Sequence, residues 1–253
     1  HAIARGDQDP HVLGAKPSHS RRMMKADLLV LNGLELETGW LPLLIQGARN
    51  LDLRPGQAGH LDLSTAVAPL EVPVGELDRS QGDVHPDGNP HYTVDPGLYP
   101  DLADALTARL IELDPAGSEF YRASLERFRQ DWANRLADWS RRLAPLRGLR
   151  AIAYHKQWEY LAHRYGLEIV NYVEDRPGIP PSPRHVAELT RRIRQAKIPL
   201  LFYSDLVHPD SPDTLPARAG SRALKPPQAP RRRGGTGRLT ACYDALMTSP
   251  EAS

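Results

Sequence analysis

The sequence predicts an α/β protein of two lobes joined by one long backbone helix. Three observations predict it: short apolar runs of strand character, helical patterns alternating with them, and one amphipathic stretch longer than most single-domain helices. A chain of 253 residues is long enough for two lobes of about 100 to 150 residues each.

The strand-like runs are 27–32 (DLLVLN), 151–154 (AIAY), 168–173 (EIVNYV) and 199–203 (PLLFY), and each ends in a polar or turn-rich loop. Alternation with helical patterns makes parallel sheets the expectation. From about residue 115 to 144, Leu125, Phe128, Trp132, Leu136, Trp139 and Leu143 step by three or four and Gly117 is the single glycine. At 1.5 Å per residue, roughly 30 residues span about 45 Å, so this helix is expected to join the lobes. Trp132 and Trp139 belong to its core-facing stripe. A further helix is expected over 183–196, with Ser182 as its cap and Pro183 at its first position, after the rigid run 177–181 (PGIPP). The basic, breaker-rich stretch 225–238 (KPPQAPRRRGGTGR) reads as a surface loop, and Arg231, Arg232 and Arg233 within it as a solvated turn. The expected division is therefore an amino-terminal lobe over 1–112, the linking helix over 113–146 and a carboxyl-terminal lobe over 147–253.

Composition narrows the function classes. Lys and Arg number 32 against 31 Asp and Glu, a net charge of +1, so no basic field draws in nucleic acid or anionic lipid. Apolar residues make up 40%, with no run near the ~20 residues a membrane-crossing helix requires. The single cysteine, Cys242, forms neither an internal disulfide nor a cysteine-based zinc site, which leaves metal binding to histidines and carboxylates. The opening HAIARG lacks the charged start and apolar stretch of a signal peptide, and processing or truncation is expected to have removed the true start.

Ten histidines form the reactive set. Two share a local frame: Asp9-Pro10-His11 and Asn89-Pro90-His91 each place a histidine after a proline that fixes the backbone. His155 follows the run 151–154 and so falls at the carboxyl end of a strand, where α/β folds gather ligands. Three neutral imidazoles suit zinc. Their spacing matches no local metal motif, and a surface or turn role stands beside the ligand reading for each.

Longer segments add to this. The stretch 4–11 (ARGDQDPH) followed by 16–18 (KPS) and 26–30 (ADLLV) resembles the first metal-ligand region of the zinc- and manganese-binding solute receptors of ABC importers. The segments 82–92 (GDVHPDGNPHY) with 94–96 (VDP) resemble its second ligand loop, and 154–158 (YHKQW) with 165–167 (YGL) its third. The run 177–183 (PGIPPSP) is similar to a stretch of one branch of that family. These matches fall in order and cover most of residues 2–220.

The resemblance implies two α/β lobes linked by the long helix, with metal in the interlobe cleft. It implies His11 and His91 as ligands from the amino-terminal lobe and His155 from the carboxyl-terminal lobe. The implied activity is capture of zinc, with manganese the second choice, by a periplasmic or otherwise extracytoplasmic monomer. Its partner is an ABC transporter permease served by a separate ATPase subunit; no nucleic acid partner and no catalysed reaction are implied. Two departures from the family pattern stand out. The first strand and helix expected ahead of residue 4 are missing, and 225–228 (KPPQ) has no acid where many relatives supply an aspartate. The fourth ligand is then Glu174, Asp205 or water.

His85, six residues before His91, reads as a loop residue able to pass metal inward, or as a solvated side chain; His60 has a weaker version of the same case. His163 and His185 fall in helical patterns, and His19 and His208 match nothing in the family. Two other functions remain open: a zinc hydrolase using the same three histidines, and a metal-binding surface adhesin. Against the hydrolase, the sequence has no His-Glu-x-x-His, no Gly-x-Ser-x-Gly and no glycine-rich phosphate loop, leaving Glu174 or Asp205 as its possible base.

Overall fold

The computed structural model describes residues 1–4, 8–75, 85–203, 220–224, 240 and 243–244, with backbone alone for 222–224. The chain divides into two compact units. The first comprises His1–Pro73, His85–Tyr92 and Gly97–Asn134, and the second Val74–Val84, Thr93–Pro96 and Arg135–Ser253. Both are α/β units with parallel strands.

In the first unit, α1 (Pro17–Met23) leads into β1 (Leu29–Leu31), and α2 (Leu41–Ala48) into β2 (His60–Asp62). β1 and β2 pair in parallel, Leu29 opposite His60 and Leu31 opposite Asp62. Prolines start both helices where the missing N–H costs nothing, and Arg49 ends α2 in the left-handed conformation. Met23, Leu29, Trp40, Leu41, Leu44, Ala48 and Leu53 form the core, and Leu13, two residues beyond His11, packs against it. α3 (Tyr99–Leu113) follows, and Asp114 accepts the N–H of Gly117 in the turn that leads to α4 (Ser118–Leu143).

α4 is the long amphipathic helix expected from the sequence, and it continues from the first unit into the second beyond Asn134. Trp132, Trp139 and Leu143 on its stripe are buried. Arg141 and Arg142 sit in its last turn, where cations complement the helix dipole.

The second unit carries a four-stranded parallel sheet in the order β4-β3-β5-β6, from β3 (Arg150–Ala153), β4 (Glu168–Tyr172), β5 (Leu200–Phe202) and β6 (Arg222–Leu224). α5 (Glu159–Tyr165) connects β3 to β4 and stops at Gly166, whose φ of 72° only glycine adopts without strain. α6 (Pro183–Ala196) returns the chain to β5, across β3. The Ser182 side chain accepts the His185 N–H, as the sequence anticipates for this cap. Ile152, Tyr154, Val173, Leu189, Ile193, Ile198, Leu201 and Tyr203 fill the space between sheet and α6. Because successive connections leave β3 and β5 toward opposite edges, the ends of these two adjacent strands mark a switch point of the kind that receives ligands in α/β sheets.

All four apolar runs singled out in the sequence contain strands. β2 carries no such signal, because its three residues include His60 and Asp62. The stretch 225–238, expected to be a surface loop, lies outside the described residues.

The packing of α6 sets a graded expectation. Ile193→Ala empties a fully buried position and should cost about 2–5 kcal/mol, whereas Ser182→Ala removes one cap and should cost about 1 kcal/mol. Urea unfolding of metal-free protein measures both, and a smaller loss for Ile193 than for Ser182 contradicts this packing.

Candidate metal site

The two Asx-Pro-His segments of the first unit fold into the same turn. Asp9 Oδ1 accepts the backbone N–H of His11 at 2.9 Å and sits 2.8 Å from its ring Nδ1. Asn89 Oδ1 accepts the backbone N–H of His91 at 2.9 Å and sits 2.8 Å from its Nδ1. Proline between the two polar residues fixes φ near −65°, which brings the Asx oxygen back over the histidine. The Asn89 amide is oriented from both ends, since its Nδ2 donates to Glu71 Oε2 at 2.9 Å. An oxygen acceptor at Nδ1 requires the proton there, so the neutral ring carries its lone pair on Nε2.

The rings of His11 and His91 lie with centroids 5.1 Å apart, tilted by 40°. The His85 ring also neighbours His11, with centroids 5.5 Å apart. The first unit thus brings together two of the three histidines that the family resemblance implies as ligands, with His85 beside His11.

Behind these turns, the segment 32–40 leaves the end of β1. Gly33, Leu34 and Glu35 have φ of 83°, 51° and 62°, three left-handed residues in succession. Gly33 is required on two counts, because a Cβ there would lie 2.0 Å from Asp62 Oδ1. The Glu37 carboxylate accepts the N–H of Asn32 at 2.8 Å and of Gly33 at 3.2 Å, and burial pushes its pKa up.

His155 stands in the second unit, two residues past the end of β3. The parallel pairing of β3 with β4 continues beyond the strands: Val173 N donates to Ala153 O and Glu174 N to Tyr154 O. That continuation sets Glu174 beside His155, with Oε2 2.7 Å from Nδ1. The same Oε2 accepts the N–H of Gly178 at 2.9 Å, and both side chains are largely buried. Glu174, weighed in the sequence as a fourth ligand, is here the oxygen partner of His155. Burial and the Glu174 charge together push the Tyr154 phenol pKa up.

The other histidines go elsewhere. His60 Nδ1 meets Leu53 O, His185 Nε2 meets Tyr172 O, and His163 is exposed on α5. His19 lies in α1. Asp205, His208, Arg231, Arg232 and Arg233 lie outside the described residues. Sequence reasoning quoted Asp9 and Asn89 only as frames for the prolines. The signal that could have marked them was the repeated Asx at the same offset from histidine.

The sequence profile of the family described as zinc-uptake complex component A, periplasmic (ZnuA), matches residues 1–239. The manganese ABC transporter substrate-binding lipoprotein PsaA of Streptococcus anginosus is 24% identical over 212 residues, covering 82% of this chain and 65% of that protein. The high-affinity zinc uptake system protein ZnuA of Yersinia pestis is 24% identical over 210 residues, covering 76% of this chain and 64% of that protein. The chain thus spans under two thirds of the length of these curated relatives. Among solved structures, a zinc-bound ZnuA with residues 138–173 deleted superposes with a TM-score of 0.75 at 22% identity, covering 99% of this chain and 89% of that one. That likeness establishes the fold.

The oxygen partner of His155 generates a direct expectation. Glu174→Ala should weaken metal binding about 10–100-fold by releasing the ring, and Glu174→Gln, which keeps an acceptor oxygen, should lose less. Chelator competition measures both, and an unchanged affinity in Glu174→Ala would show that the carboxylate does not orient the imidazole.

Proposed function

The chain belongs to the periplasmic zinc-uptake component A family, and from that premise we propose that it is an extracytoplasmic receptor that captures zinc and delivers it to an ABC importer. His11 and His91 of the first unit and His155 of the second hold one ion. The permease and a separate ATPase subunit receive it, and the receptor acts as a monomer that catalyses nothing. No helix among the described residues is long and apolar enough to cross a membrane.

One observation carries this reading: all three histidines have Nδ1 against a side-chain oxygen, from Asp9, Asn89 and Glu174. Metal-bound histidines almost always place their other ring nitrogen on a carboxylate, carbonyl or water, which fixes the tautomer and makes the ligand more basic. The cargo follows from the donors. Imidazole suits zinc, whereas manganese favours sites richer in oxygen, although a relative carries manganese in its name. Glu174 Oε2 is engaged by His155 and Gly178, which favours a positioning role over a hydrolytic base; the fourth position falls to water, Asp205 or the other oxygen of Glu174. Imidazoles must be neutral to bind, so affinity falls in acid as protons compete with the ion.

Two measurements test the proposal. His155→Ala should weaken zinc binding by orders of magnitude, since His11 and His91 alone remain; His85→Ala should change affinity by no more than about tenfold, roughly 1.4 kcal/mol. Loss of binding in His85→Ala with normal binding in His155→Ala would reverse the assignment. Competition between the two ions should show zinc displacing manganese, and equal affinities would count against a site of three imidazoles.

A further inference from the structure

We propose that the segment 32–40 is a positioning element that sets the separation of His11 and His91, by donating one side-chain hydrogen bond to the proline carbonyl of each histidine turn. Trp40 Nε1 donates to Pro10 O at 2.8 Å, and Asn32 Nδ2 donates to Pro90 O at 2.9 Å. The two donors stand at opposite ends of the segment, and each grips the residue directly before a histidine. A second bond strengthens one end, where the Tyr92 hydroxyl donates to Asn32 O at 2.5 Å. The turn of His91 is therefore held on both sides of the ligand.

The choice of acceptor matters. Within each turn the Asx oxygen already holds the histidine N–H and its ring nitrogen. Proline contributes a carbonyl and no N–H, so the carbonyl is the polar group through which a neighbour can hold the turn. A donor on it restrains rotation of the turn, and with it the direction in which Nε2 points.

The segment is built to be rigid. Its start is pinned by Glu37, which gathers the N–H groups of Asn32 and Gly33. Gly33 is pressed against Asp62 at the end of β2, and Leu36 N donates back to Gly33 O. Its end is Trp40, buried in the core with Leu41 and Leu44. Left-handed conformations at Leu34 and Glu35 persist only where the surroundings over-determine them. Asn32 and Trp40 are thus positioning residues, joined through one stiff segment, each acting on a histidine through the proline carbonyl before it. This inference rests on the reading of His11 and His91 as zinc ligands.

The test uses Asn32→Asp, which keeps the side chain's size, and Trp40→Phe, which keeps one aromatic ring in the core; both remove the donor. Imidazole nitrogen spectra of the metal-free protein read the positioning directly. Asn32→Asp should move chiefly the His91 ring signals, and Trp40→Phe chiefly those of His11. Zinc titration under chelator competition reads the consequence: each variant should lose about tenfold or more in affinity. In a His91→Ala background Asn32→Asp should cause no further loss while Trp40→Phe still does, and in His11→Ala the pattern should reverse. Equal losses in both backgrounds, or ring signals that stay in place, would overturn the proposal. Should Trp40→Phe fail to fold, Tyr92→Phe takes its place and should move the His91 ring alone; no movement overturns the proposal. Selective ring shifts in the variants, together with a wild-type protein that takes up no zinc, would uphold the positioning and refute the zinc reading.

Discussion

The bond between a histidine Nδ1 and a nearby side-chain oxygen is the constraint on which the rest depends. It is made three times, by Asp9, Asn89 and Glu174. Each oxygen fixes a tautomer, and each therefore decides which ring nitrogen meets an ion. Two of these bonds are local, closed within a three-residue turn by proline. The third spans 19 residues and exists only because β3 and β4 pair in parallel and carry Glu174 to the level of His155. A histidine held by a turn and a histidine held by a sheet thus reach the same chemical state by different routes.

The folds around them are spent on holding these turns still. In the first unit a small core under α1 and α2 seats Trp40 and supports Leu13 beside His11. In the second, α6 closes over the sheet and buries Ile152, three residues before His155, and Val173, next to Glu174. Each core removes freedom from a short loop that carries a histidine, outside the ladder that fixes the residues of a strand.

Much of this was legible in the residues. The strand runs, the cap and proline of α6, and the stripe of α4 all rest on local periodicity and helix-end chemistry, which act within a turn or two of chain. The repeated Asx-Pro-His frame was visible for the same reason. β2 was not, because a three-residue strand with a polar pattern has no periodicity to detect. Nor was the part taken by Glu174, or the hold of Asn32 on Pro90 across 58 residues and of Trp40 on Pro10 across 30. Such contacts are decided by which loops the fold brings together, and no spacing along the chain encodes them. Asp205 and the arginines at 231–233 lie outside the described residues, and the sequence alone speaks for them.

X-ray absorption at the zinc edge of protein loaded with one equivalent of the metal addresses the three-histidine site most directly. The account predicts a first shell of nitrogen and oxygen at about 2.0–2.1 Å, outer-shell scattering from three imidazoles, and loss of one imidazole in His155→Ala. A spectrum with one imidazole or none, or one that His155→Ala leaves unchanged, would contradict it.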